Sequence, residues 1–220
     1  MGSVKAGRRP YRSDRRREQA AATRGAILAA ARLLFSQRGY SGTTVEAIAE
    51  SAGVAAITVY STFGSKRVLL ARLVDLAVAG DDEVVELLQR EEPQHILGLS
   101  DQRSQIRHFA RDIAQRMERV APLLEVLSHA ARTEPEIAEL LEQLLRQRLA
   151  GMRAFTGALR RNGPLRDGMS AAKAAETVWA MTSAEIVLLM TRHLGWTHKQ
   201  FVEWLDRSLA SLLLPTRREP

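Results

Sequence analysis

An all-α chain in two functional parts is predicted by three observations. Apolar residues recur at three- and four-residue spacing along nearly the whole length, no segment alternates convincingly at period two, and the excess positive charge is confined to the first third. The chain has 220 residues and a net charge of +7. Residues 1–70 hold 12 basic and 4 acidic side chains, and the remainder is close to neutral. One part is therefore suited to a polyanion and the rest to another task. A composition 45% hydrophobic and 26% charged excludes collagenous, mucin-like and wholly disordered classes. With no cysteine, disulfides, thiolate zinc sites and cysteine nucleophiles are excluded as well. No apolar run reaches the roughly 20 residues of a membrane span, and the arginine-rich start lacks the apolar stretch of a secretory signal. A cytoplasmic protein without a membrane partner is expected.

In order along the chain, residues 1–20 read as a basic arm. Lys5, Arg8, Arg9, Arg12, Arg15, Arg16 and Arg17 stand beside almost no large apolar residue, so the segment cannot fold alone. Both a solvated tail and an arm along a nucleic-acid backbone fit. Helix is predicted from Ser13 or Asp14, carried by the alanines at 20–22, 26 and 29–31 and by the stripe Ile27, Ala30, Leu34 and Phe35. Gly39 ends it. Thr43-Thr44-Val45-Glu46 has the form of a capping box with Thr43 as cap, so a short helix follows to about Ser51. Ala52-Gly53-Val54 is a tight turn, and a second short helix covers about 55–62. Together they form a helix-turn-helix, the motif spanning 44–63. A longer helix starts at Ser65. Further helices are expected at about 65–79, 81–91, 101–119, 122–132, 135–162, 170–194 and 198–213, separated by proline and glycine.

With Val59 turned inward on the second short helix, Phe63, Ala55 and Ala56 lie near it, while Ile57 and Ser61 point outward and Thr58 and Tyr60 flank that pole. An exposed isoleucine and tyrosine there suit a helix in the major groove, where apolar groups touch thymine methyls and hydroxyls reach base edges. Lys66 and Arg67 occupy a first helical turn, where the macrodipole disfavours cations unless an anion joins them. Thr43 and Thr44 offer a second helix start to a phosphate.

Residues 23–70, TRGAILAAARLLFSQRGYSGTTVEAIAESAGVAAITVYSTFGSKRVLL, closely resemble the TetR family of bacterial transcriptional regulators. The resemblance implies a homeodomain-like three-helix DNA-binding domain over residues 21–81 and an effector-binding and dimerisation domain over 82–220. It also implies that Thr43, Thr44, Tyr60 and Lys66 contact phosphates and that Ala55, Ala56, Ile57, Thr58 and Ser61 face bases. Ala55-Ala56-Ile57 departs from the polar or basic residue often found there, which shifts base readout toward methyl contacts, water and DNA shape. The implied partners are a double-stranded operator, a second copy of the chain and a small-molecule effector of unknown identity. A constitutive or non-specific DNA-binding protein is the alternative.

Beyond residue 70, helix 170–194 is apolar on nearly all sides and the last helix carries a stripe. Trp179, Ile186, Leu189, Phe201, Trp204, Leu205, Leu209 and Leu212 are therefore the candidate dimer interface, as two helices from each of two subunits. Ile106, Phe109, Ala110, Ile113, Met117, Met152, Phe155 and Trp179 could line an apolar effector cleft, with His129, Thr182 and Glu185 as polar contacts. The five histidines form no i, i+4 pair, so no metal or other cofactor is expected. There is no phosphate loop, dinucleotide fingerprint, nucleophile elbow or HExxH, and enzymatic activity is not expected.

Overall fold

The computed structural model describes residues 10–81 and 86–215, with side chains described from Arg15 onward. The basic residues Lys5, Arg8 and Arg9 lie outside the described residues. Helices α1 (Pro10–Arg38), α2 (Val45–Ala52), α3 (Ala56–Phe63) and α4 (Lys66–Ala79) follow one another. They are followed by α5 (Glu91–Gly98), α6 (Gln102–Ala130), α7 (Pro135–Arg161), α8 (Ala171–Met181), α9 (Ala184–Leu188) and α10 (His198–Leu213). Among the described residues there is no strand, and no helix is long and apolar enough to cross a membrane. The chain divides into two compact units between Leu73 and Val74, inside α4 and eight residues before the boundary expected from sequence.

In the first unit, Ile27, Ala31 and Phe35 of α1 are fully buried, as are Ile48 of α2 and Leu69 and Leu70 of α4. Phe35 stacks on Tyr40 at 5.8 Å between ring centres. Gly39 and Gly53 take the positive φ, +69° and +67°, that the two turns require. Helix α1 starts at Pro10, earlier than expected. Proline is well placed in a first helical turn, where its missing N–H has no helical partner to lose.

In the second unit, α6 contributes Ile106, Ala110 and Leu127 to a core shared with α7, α8 and α10. Two expectations fail here. Pro122 does not open a new helix after 119: α6 runs through it to Ala130. A proline inside a helix removes one amide donor. Here the neighbouring Val120, Ala121, Leu123, Leu124 and Leu127 are all buried, and the packing they contribute outweighs that loss. Conversely, the helix expected over 170–194 is broken at Thr182-Ser183. Ser183 caps α9 by accepting from the Ile186 amide, the Thr182 hydroxyl turns back to the Val178 carbonyl at 2.8 Å, and a π-helical turn covers Leu189–His193. Of the helix expected over 81–91, residues 82–85 lie outside the described residues, Leu87–Gln89 form a 3-10 turn and regular helix begins at Glu91.

Candidate functional site

Helices α2 and α3 pack together through Ile48, Val59 and Phe63. Packing Val59 and Phe63 inward turns the opposite side of α3 to solvent. Ile57 at its centre is 73% exposed, Tyr60 is 45% exposed, Ser61 and Ala55 are exposed, and Thr58 and Ala56 are half-buried. The hydroxyls of Ser61 and Thr62 both donate to the Thr58 carbonyl, at 3.1 and 2.6 Å. An isoleucine exposed to this degree gains little from folding and leaves an apolar group open to whatever meets that surface.

The capping arrangement at α2 differs from the sequence expectation. Thr44 is the N-cap, its hydroxyl accepting from the Ala47 amide at 3.1 Å. Thr43 is fully buried and its hydroxyl donates to the Gly39 carbonyl at 2.8 Å. The Thr43 side chain thus fixes the turn and does not face solvent, which corrects its expected phosphate contact. Thr44→Ala is expected to lower the stability of this unit by about 1 kcal/mol, measurable as a shift in the urea unfolding midpoint. Lys66 is also more structural than its position suggested. Its ammonium donates to the Tyr40 and Thr43 carbonyls, each at 2.9 Å, and lies 4.1 Å from the centre of the Tyr40 ring. Ser65 caps α4, accepting from the Val68 amide at 3.2 Å. The turn before α2 and the start of α4 are therefore tied together.

Most of the apolar residues expected to line an effector cleft are packed inside the second unit. Phe109, Ile113, Met117, Met152 and Phe155 are buried, and Phe109 stacks on Phe155 at 3.9 Å. His129 and Glu185 are exposed. The second unit instead carries an open groove of about 1080 Å³, walled by the end of α4, the start of α5, α6 and the start of α10. A smaller cavity of about 230 Å³ lies between α6, the π-helical turn and α10, and Met117 is the one expected ligand residue that borders it.

The candidate dimer residues divide. Phe201, Leu205 and Leu209 are buried within the chain, where α10 packs on α6, which corrects their assignment to an intersubunit surface. Leu189 and Leu212 are 50% and 40% exposed, with Ile186, Trp179 and Trp204 half-buried. Leu194, which the sequence did not single out, is 59% exposed.

Arg148 was also missed. From α7 it donates through one terminal nitrogen to the Trp179 carbonyl and to the Thr182 hydroxyl, both at 2.6 Å, bracing the break between α8 and α9. Burial pushes its guanidinium down to about 10, opposed by the carboxylate of Glu185, so the group stays charged at neutral pH. The sequence signal was its place at helical spacing from Leu141, Leu144, Leu145 and Met152, an apolar stripe where an arginine is out of pattern.

Residues 27–73 match the family model described as "Bacterial regulatory proteins, tetR family". The HTH-type transcriptional repressor BepR of Brucella suis biovar 1 (strain 1330) is 30% identical over 173 residues, covering 76% of this chain and 80% of that protein. Among solved structures, NalD, the secondary repressor of the MexAB-OprM multidrug efflux pump in Pseudomonas aeruginosa, superposes with a TM-score of 0.67 at 23% identity, covering 92% of this chain and all of that one. A TetR-family regulator from Syntrophomonas wolfei gives a TM-score of 0.68 at 17% identity over 86% and 93%. The exposed face of α3 over a buried helix-turn-helix core and the extent of the match to a curated repressor lead to one assignment: the chain belongs to the tetR family of DNA-binding transcriptional regulators.

Proposed function

We propose that the protein is a homodimeric repressor, acting in the cytoplasm, that occupies a near-palindromic operator and leaves it when a small, largely apolar molecule binds the C-terminal unit. The observation that carries the DNA half is the outer face of α3, with Ile57 projecting at its centre and Tyr60 at its edge. In this reading Ile57, Ser61, Thr58, Ala55 and Ala56 read bases through methyl contacts, water and groove shape, and Tyr60 and Thr44 contact phosphates. The exposed Leu189, Leu194 and Leu212 support self-association, which would set two copies of α3 about 34–36 Å apart along the duplex, or a multiple of that. For release, the ligand must bind one conformation of the regulator more tightly than the other.

The test is a binding titration against duplexes selected from a random pool by the wild-type protein, with sedimentation as a check on mass. Ile57→Ala is expected to weaken binding to the selected operator by about 1–3 kcal/mol and to relax base preference, whereas Tyr60→Phe weakens operator and random duplex alike. Equal affinity of the wild type for both duplexes would favour the non-specific alternative, and a monomeric mass would remove the palindrome. If no member of a panel of small apolar compounds lowers operator affinity, the constitutive reading is preferred.

A further inference from the structure

Two helices of the C-terminal unit depart from regular geometry around one cavity. Pro122 has no amide to donate, so the Glu118 carbonyl one turn earlier on α6 loses its usual helical partner. Across the cavity, Leu189–His193 form a π-helical turn, closed by the Leu194 amide on the Leu189 carbonyl at 3.1 Å and by the Trp196 amide on the Met190 carbonyl at 3.0 Å. Such a turn is rare in helices and frequent at functional sites. Gly195, at φ +69°, lets the chain turn there so that Trp196 joins the cavity wall.

The cavity measures about 230 Å³. An apolar cavity of roughly 150 Å³ holds benzene, so this one has room for a bicyclic ring. Its walls are chiefly apolar: Met117, Ala121, Val187 and Phe201 are buried, and Trp196 is backed edge-on by Trp204 at 6.0 Å between ring centres. The charged groups at its border are already matched. His198 lies 3.0 Å from the Glu118 carboxylate and Arg192 2.8 Å from that of Glu125. The uncharged polar groups are acceptors. The Thr191 hydroxyl donates to the Val187 carbonyl at 2.8 Å and keeps only lone pairs to offer, and the Glu118 carbonyl lacks its amide.

We propose that this cavity binds a compact, uncharged ring compound with one N–H or O–H donor, which bonds to the Glu118 carbonyl. A ring without a donor leaves that carbonyl unmet. A charged ring brings its charge into an apolar space where every bordering countercharge is taken. Naming this compound as the effector rests on the regulator reading; its binding rests on the cavity alone.

The probe is indole, a neutral bicyclic ring with a single N–H, titrated calorimetrically into the full chain without DNA. Its comparators are 1-benzothiophene, of the same shape with no donor, and indole-2-carboxylate. Indole is expected to bind at a single site, benzothiophene about tenfold more weakly, and the carboxylate without measurable heat. Ala121→Leu fills the cavity and should weaken indole and benzothiophene alike by more than about tenfold. Pro122→Ala returns an amide to the Glu118 carbonyl and relieves the helix of a proline, so the chain should fold at least as well. In that variant the preference for indole over benzothiophene should fall to about twofold or less, and this ratio decides if Ala121→Leu fails to fold. Absence of binding by both neutral rings overturns the site, as does binding that survives Ala121→Leu. Equal affinities in the wild type, or a preference that survives Pro122→Ala, overturn the donor assignment. Indole affinity that falls as the protein concentration is raised means that a second copy fills the cavity, which overturns the ligand reading. With no DNA in the cell, none of these outcomes bears on the operator.

Discussion

Phe155→Ala is expected to lower the stability of the C-terminal unit by about 3–5 kcal/mol, the usual cost of truncating a buried phenylalanine. Phe155 is 2% exposed and Phe109 6%, and their rings stack 3.9 Å apart. Removing either ring leaves a void that the surrounding helices close only partly. Urea unfolding of Phe155→Ala, Phe109→Ala and the double variant measures both the cost and the coupling, which should be about 0.5–1.5 kcal/mol beyond independent effects. The result separates core from ligand cleft. A side chain lining an open cleft would cost less in the absence of effector, because its removal leaves little new void, whereas a core residue carries the full penalty whether or not an effector is present.

The second large effect belongs to Lys66. Replacing it with methionine is expected to destabilise the DNA-binding unit by about 2 kcal/mol, since the Tyr40 and Thr43 carbonyls each lose a charge-assisted hydrogen bond. The cation over the Tyr40 ring is lost too. Thermal unfolding followed by circular dichroism, without DNA, reads this directly. A lysine serving only a phosphate would leave unfolding unchanged and reduce the slope of log affinity against log salt by about 0.9. The two outcomes cannot be mistaken for each other.

The helix-turn-helix was legible from sequence because its signals are local. Gly39 and Gly53 mark turns that need positive φ, and a four-residue spacing sets Val59 and Phe63 against the outward Ile57 and Ser61. Boundaries there differ by a residue or so. The one substantive error, Thr43 in place of Thr44 as cap, arose because two adjacent threonines offer the same chemistry and only burial distinguishes them. The C-terminal unit was less legible for the opposite reason. Whether Pro122 ends a helix depends on how well its neighbours pack, and whether α8 continues past Thr182 depends on Arg148, more than thirty residues earlier in the chain. Apolar periodicity marked Phe201, Leu205 and Leu209 as an inward stripe, but it cannot say whether a stripe faces its own chain or another; here it faces α6. The same limit applies to Phe109 and Phe155, read from sequence as a cleft lining and found buried and stacked on each other.

Helix α1 begins at Pro10, yet from Arg15 to Ala26 no side chain is buried. That is roughly 18 Å of helix presenting Arg15, Arg16, Arg17 and Arg24 to solvent. Its consequence is kinetic. A charged rod of this kind is expected to draw the protein to DNA from beyond contact distance and to let it hop between non-specific stretches before it settles. Truncating it should slow association, most strongly at low ionic strength, while the lifetime of the complex once formed changes little. The speed of finding a site and the choice of site would then be set by different ends of the same small unit.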